Sequence, residues 1–382
     1  MFGDWSPDFL VFARRCWRLG VPVHWMDIAA QPPDSRGYSR CLAGAGFLSR
    51  KQVGTAEGIL AIKRFVESVG GGALLGHGDR HLLWLAANRD QLAPVCRLLS
   101  PSLPALQLAT SKRLQFNLAT RIGMKVLPTW WLEKDADMEQ IPEIAFPLVI
   151  RPDRESDIKP YRKTILVQSR ADLRAFLQGT VLQAAVIAQP FLNLPNLLVH
   201  GVRSEQGELL AMETFLVPRK FQSVSLTVQN MSLTSNKLKT LCAQFVDAAD
   251  ITGPFHFEFL YSRDNEEATF LEINARLGGT TDKVFRLGFD EPGLTLVAYG
   301  LVAPSPTTHL RRTPRVAVNK RMLIKHAGRA LRGKLSALDH PPVSRWMHVW
   351  LSARDFVCGK DSVFDFRDLP GSFRFYLHGT RR

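Results

Sequence analysis

The sequence predicts a chain of mixed α/β and α+β class. An N-terminal parallel α/β domain spans residues 1–105, a two-lobed domain spans 106–305, and a basic extension or cap spans 306–382. Three observations carry that reading. Residues 1–105 alternate between helical and strand-like apolar spacing, the mark of a parallel layer. Residues 255–283, FHFEFLYSRDNEEATFLEINARLGGTTDK, alternate twice around a polar turn and predict an antiparallel hairpin. A length of 382 residues exceeds one compact core and implies two or three domains.

In the first domain, DFLVFARRCWRLG predicts an amphipathic helix stopped by Gly20, and VPVHWMDI a short buried strand. TAEGILAIKRFVESVGG is a second helix closed by glycines, ALLGHGD a second strand, HLLWLAANRDQL a third helix, and SPSLPAL a proline-spaced exit. Asp79, at the end of the second strand, reads as a cap of the next helix. SKRLQFNLATRIG then opens the second domain as a helix with Ser111 as N-cap and Gly123 as stop. FPLVI is a buried strand ended by Arg151-Pro152, TILVQS the next strand, and SRADLRAFL a capped helix. VLQAAVIAQP, LLVHGV and LLAMETFLV read as three further strands, and KLKTLCAQFVDAAD as the helix leading to the hairpin. PGLTLVAYGLV is the closing helix.

Within the hairpin, Glu272 and Asn274 share one face of their strand, and antiparallel pairing brings Glu258 to them, with Arg276 just beyond. Two readings are open for these residues. They form the solvated face of a hairpin, or they hold a hard cation such as Mg²⁺, which is bound by one or two carboxylates together with substrate phosphates.

The segment resembles the metal-binding hairpin of the ATP-grasp superfamily. FEFL…FLEINARLGG is especially similar to the branch containing biotin carboxylase and carbamoyl phosphate synthetase. The resemblance implies that Glu258, Glu272 and Asn274 hold Mg²⁺ on the phosphates of ATP, with Arg276 facing the carboxylate or acyl phosphate being made. Residues 1–105 then resemble the pre-ATP-grasp domain, in which Asp79 is a second candidate role: a part of the acceptor pocket. The usual first strand of that domain is nearly absent here, so the sheet has lost an edge or the chain starts further upstream. SK…LATRIGMKVLPT is similar to the start of the catalytic domain and puts Lys112 over the phosphates. The first-strand position that carries a phosphate-contacting base in the family is Arg151 here, suited to bidentate contact. The phosphate loop, glycine-rich in the family, has no glycine here and offers Arg154, Lys159, Arg162 and Lys163. The adenine hinge falls on backbone groups near Gln189 and Leu192, and the ribose-binding position near Asn196.

These parts imply an ATP-dependent carboxylate–amine ligase with ATP and Mg²⁺ as cofactors and small-molecule acid and amine substrates. Two other classes stay open: a nucleotide-binding protein without catalysis, and a membrane- or polyanion-binding protein using residues 306–382. The net charge of +14 is compatible with polyphosphate substrates, anionic lipid or nucleic acid. No nucleic-acid module is present, so that partner is not expected. No Asp or Glu occurs between Glu291 and Asp339, and NKRMLIKHAGRALRGKLSAL reads as a basic helix with Ile324, Ala327, Leu331 and Leu335 on one side. It either caps the catalytic domain or rests on a membrane surface. FDFRDLPGSFRFYLH reads as an ordered tail with a Pro-Gly turn. No run reaches the length of a membrane span and no leader is evident, and five scattered cysteines without a CxxC pair suit reduced thiols, so a cytoplasmic protein is expected. GxSxG, HExxH and P-loop patterns are missing, which removes serine hydrolase, zincin and Walker-type readings. Homo-oligomerisation is left open.

Overall fold

The computed structural model describes residues 1–29, 39–133, 135–153, 157–159, 164–304 and 316–378. The N-terminal layer contains β1 (Phe2–Gly3), α1 (Pro7–Arg18), β2 (His24–Ala29), β3 (Gly44–Ser49), α2 (Ala56–Ser68), β4 (Ala73–Leu74), α3 (Asp79–Ala87), α4 (Arg89–Leu92) and β5 (Arg97–Leu98). All its strand pairs are parallel. The two-residue β1 is central. It pairs with β2 on one side, and on the other Phe2 exchanges backbone hydrogen bonds with Leu75 and His77 at 2.9 Å. The expected missing edge is therefore a short strand at the middle of the layer. Strand β3 was not predicted, because its sequence GAGFLS carries two glycines where side chains would signal a strand. Gly46 is needed there, since a Cβ would lie 2.5 Å from the Phe65 ring.

The predicted exit SPSLPAL is instead the start of α5 (Leu103–Thr110), with Ser102 as N-cap and Pro104 in the first turn, where a missing N–H costs nothing. The expected boundary at 105/106 falls inside this helix. It leads into α6 (Lys112–Arg121), capped by Ser111. A four-stranded antiparallel sheet follows, in the order β6 (Trp130–Leu132), β11 (Val186–Pro190), β7 (Leu148–Pro152), β9 (Ile165–Val167). A small pair, β8 (Ile158–Lys159) with β10 (Val181–Leu182), lies beside it, and α7 (Arg170–Gln178) covers it through Leu173 and Leu177.

The largest sheet has seven strands, in the order β16-β15-β12-β13-β14-β17-β18. Its members are β12 (Asn196–Arg203), β13 (Leu209–Phe221), β14 (Val224–Asn230), β15 (Gly253–Ser262), β16 (Glu267–Asn274), β17 (Ala317–Val318) and β18 (Lys360–Asp361). Helix α8 (Lys237–Ala248) packs on one face of the hairpin, where Phe245 stands edge-on to Phe257 at 5.4 Å and tilted against Phe270 at 5.8 Å. Phe255, Phe257, Phe259 and Phe270 are all fully buried on that face. The period of two then leaves His256, Glu258 and Leu260 on the opposite face. Helices α9 (Thr281–Leu287) and α10 (Glu291–Ala298) follow the hairpin, and α10 packs against β12, β13 and β15.

Residues 316–378 add to this sheet. β17 pairs with β14, and β18 with β17. Helices α11 (Lys320–Leu331) and α12 (Arg345–Cys358) pack together, and Asp355 of α12 forms a buried ion pair with Arg219 of β13. In α11 the buried residues are Leu323, His326 and Ala330, while Ile324 and Leu331 are 61% and 53% exposed. The expected face of Ile324, Ala327, Leu331 and Leu335 is thus displaced. A histidine stands in the buried stripe, so choosing apolar residues alone selects the wrong side. The expected Pro-Gly turn is the first turn of α13 (Leu369–His378). Asp368, just before it, binds Arg14 of α1 at 2.8 Å in the interior. The five cysteines are unpaired, and among the described residues no helix is long and apolar enough to cross a membrane.

Candidate active site

A cleft of about 1540 Å³ lies between the four-stranded sheet, the polar face of the hairpin and the N-terminal layer. Nine of the residues singled out above for nucleotide, metal or acid binding line it: Lys112, Arg151, Gln189, Leu192, Asn196, Glu258, Glu272, Asn274 and Arg276. Its volume exceeds the roughly 300–1,000 Å³ of a typical single-ligand pocket and suits a nucleotide with further substrates.

At its centre Glu258 and Glu272 are direct cross-strand partners. A bulge follows immediately, where Phe259 pairs with Phe270 and Leu271 is left over. The extra residue keeps both carboxylates on the cleft face while the phenylalanines stay in the core. Asn274 lies one step further along the face, opposite His256. Its Nδ2 is 3.2 Å from His256 Nε2, and its Oδ1 accepts from Arg276 at 3.3 Å. Burial and the neighbouring His200 hold His256 well below the usual histidine range, so its neutral ring accepts the Asn274 amide N–H. His200 stacks on His256 at 5.0 Å and is itself fixed by Glu291 and Thr280, at 2.9 and 3.0 Å. This buried row turns the Asn274 oxygen toward the cleft.

Cations converge on the carboxylates. Lys112 Nζ is 3.8 Å from Glu272. It is placed by the start of α6, where Ser111 and the Asp153 carboxylate meet the first helical N–H groups. The helix is anchored to the hairpin by the buried Gln115. Its side chain donates to Ala109 O and Ile273 O and accepts from Ile273 N at 3.0 Å. Arg151 projects from β7 into the cleft and donates to Gln189 Oε1 at 2.7 Å. Burial lowers its pKa, opposed by Glu272 and Glu258. Gln189 also reaches Thr129 at 2.8 Å, so its side chain fixes the arginine, a role absent from the hinge expectation. Leu192 stands at the rim, 40% exposed.

Asn196, expected near the ribose, is tied to two charged neighbours. Its Nδ2 donates to Glu258 at 3.2 Å and its Oδ1 accepts from Lys220 Nζ at 3.0 Å, so both ends of the amide are engaged inside the cleft. Lys220 escaped the sequence reading. It also donates to Leu194 O at 2.6 Å, and burial pulls its pKa down to about 8 against the raising effect of Glu258. Asp79 does not cap α3, whose N-cap is Gly78 without a side-chain bond. It instead grips Arg276 with both carboxylate oxygens, the Nη2–Oδ2 distance being 3.1 Å. Burial works against the Arg276 charge, but Asp79 outweighs it and raises the pKa. Arg154, Arg162 and Lys163 of the phosphate loop lie outside the described residues, and Lys159 is exposed on β8.

Among the described residues no group of three or more His, Cys, Asp or Glu forms a metal cage. The donor set is two carboxylates and an amide oxygen. That set fits Mg²⁺, which keeps waters and shares its shell with phosphates, and does not fit a closed zinc site.

The cleft thus has opposed carboxylates on a hairpin, ringed by lysine and arginine and bounded by an antiparallel sheet. Comparison with solved structures identifies the fold. Biotin carboxylase from Campylobacter jejuni matches with TM-score 0.61 and 15% identity over 81% of this chain and 72% of that one. Carboxyaminoimidazole ribonucleotide synthase from Aspergillus clavatus, complexed with ATP, matches at 0.63 and 17% over 86% of each chain. L-amino acid ligase from Bacillus licheniformis matches at 0.61 and 15% over 82% and 77%. The chain has the ATP-grasp fold. No family model and no curated protein sequence matches it.

Proposed function

We propose that this chain is an ATP-dependent ligase that activates a substrate carboxylate as an acyl phosphate and joins it to an amine. The observation that carries the reading is the directly opposed Glu258–Glu272 pair, continued by Asn274 and Arg276 along one cleft wall. Glu258, Glu272 and the Asn274 oxygen would hold Mg²⁺. Bound there, Mg²⁺–ATP supplies the γ-phosphoryl group and the neutralisation of its charge in transfer. Lys112, Arg151 and Lys220 hold the phosphates in place, and their fixed charges act most strongly in a cleft that excludes water. Arg276 orients the acid carboxylate with its planar fork. Gln189 and the backbone to Leu192 flank the adenine side, and Asn196 sets the distance between Lys220 and Glu258. In domain terms we assign residues 1–102 to acceptor binding, 103–304 to catalysis and 316–378 to a cap on the large sheet.

The test is ADP release in the presence of Mg²⁺–ATP across a panel of acids and amines, with Glu272→Gln as control. Release that requires both an acid and an amine, and is lost in the variant, supports the ligase. Equal background release from both proteins across the panel overturns it. Mg²⁺-dependent ATP binding without such release would make the chain a nucleotide-binding protein instead.

A further inference from the structure

Beyond Arg276 the cleft ends at a second cluster, supplied by the N-terminal layer: His77, Asp8 and Asp79. His77 Nδ1 is 3.0 Å from the buried Asp8 Oδ2, an ion-pair contact. In the neutral ring this contact favours hydrogen on Nδ1 and leaves the Nε2 lone pair open. Nε2 has no partner among the described residues, and His77, with a side chain 22% exposed, lines the cleft. Its backbone is held by the central strand, through His77 N to Phe2 O at 2.9 Å. Gly3 has φ +143°, and a Cβ there would lie 2.7 Å from His77 Cβ, so glycine at this position makes room for the His77 side chain.

We propose that His77, held by Asp8, is the proton acceptor for a primary-amine co-substrate at this end of the cleft. The assignment rests on the ligase reading. An amine of this class is an ammonium ion at neutral pH and has no lone pair until a proton leaves. One proton passes to His77 Nε2. The freed nitrogen attacks the acyl carbon, the C–N bond forms, and the C–O bond to phosphate breaks with its electron pair leaving on phosphate. The second amine proton leaves with phosphate, and His77 returns its own proton to water.

Of the other groups near the cleft, Asp79 is bound to Arg276 and His256 accepts from Asn274. His81 also lines the cleft, its Nδ1 2.6 Å from His77 O, but burial lowers its pKa, whereas Asp8 raises that of His77. Charged and titratable groups that act on His77 are Asp8 from α1, Asp4 from the loop before it, Arg276 from beyond the hairpin, and His81 from α3. Burial and Arg276 oppose its protonation, and Asp8 prevails to raise the pKa, which strengthens the base.

The experiment uses the full chain with Mg²⁺–ATP and the proteinogenic amino acids as acids. Two acceptors are compared: hydroxylamine, which is unprotonated at neutral pH, and methylamine, which is protonated. His77→Gln is expected to keep hydroxamate formation within about 3-fold of wild type and to lose about 10²–10⁴-fold in methylamide formation at pH 7. The deficit shrinks as pH rises toward the pKa of methylamine. Asp8→Asn is expected to lower the His77 pKa followed by NMR and to give a smaller loss of the same kind. Equal loss with both acceptors, or undiminished methylamide formation in His77→Gln, overturns the assignment while leaving the ligase intact. Absence of any acid-dependent product in wild type overturns the ligase reading and this one with it.

Discussion

Glu258 and Glu272 face each other directly across β15 and β16. Like charges at such a position repel, and a sheet selected for stability alone would avoid them. Lys112, Arg151 and Lys220 flank the pair, and the Arg151 charge acts on both carboxylates. Glu272→Gln is expected to leave the unfolding free energy of the ligand-free protein, read from the urea midpoint, unchanged or raised by up to about 1 kcal/mol. The same variant weakens Mg²⁺-dependent ATP binding at least tenfold. A clear loss of ligand-free stability would mark the pair as structural.

Arg276 is shared between Asn274 and Asp79, 197 residues apart in the case of Asp79. Replacing it with Met removes the fork that orients the acid and is expected to lower acid-dependent ADP release about 10²–10³-fold. The Kd of Mg²⁺–ATP should move by less than about 3-fold, because the phosphates rest on other residues. Asp79→Asn should change the KM for the acid and leave the ATP affinity alone.

Lys220 gives the site a pH dependence. Its pKa in the folded protein is about 8, below the ordinary lysine value because it is buried. Below that pH it is charged and attracts phosphate; above it the charge is lost. ATP affinity is expected to fall as pH rises from about 7 to 9, and Lys220→Arg, which keeps its charge, to flatten the curve. Calorimetric titration across that range checks both.

Gln115 closes the junction between α6 and β16. Gln115→Ala strands the Ile273 N–H and two carbonyls in the interior. The expected loss is about 2–4 kcal/mol, read from the urea midpoint. Lys112 rides on that helix, so ATP binding should weaken as well.

Which parts of this arrangement were legible in the sequence follows from the reach of local patterns. The hairpin could be read because its alternation is long; in β15 it sets the phenylalanines against His256 and Glu258, while in β16 Phe270 and Glu272, two apart, are separated only by the bulge at Leu271. The nine cleft residues came from that pattern together with the family resemblance. Lys220 was hidden by Pro218. A proline reads as the end of a strand, yet β13 continues past it through register shifts between Leu216 and Lys220. Strand β14, VSLTVQN, is polar at its end and follows immediately, so no turn signal separated the two. The Arg276–Asp79 pair and the Asp8–His77 contact join distant segments and leave no periodic trace. In α11 the buried His326 replaced the apolar residue that periodicity looks for.

The central claim is that the two opposed glutamates hold a magnesium-bound nucleotide. Calorimetric titration of a non-hydrolysable ATP analogue into wild type and Glu258→Gln/Glu272→Gln, with Mg²⁺ and then with EDTA, tests it most directly. The predicted result is saturable binding by wild type that requires Mg²⁺ and is lost in the double variant. Binding that persists unchanged in EDTA or in the variant, or no binding by a folded wild-type protein, would contradict it.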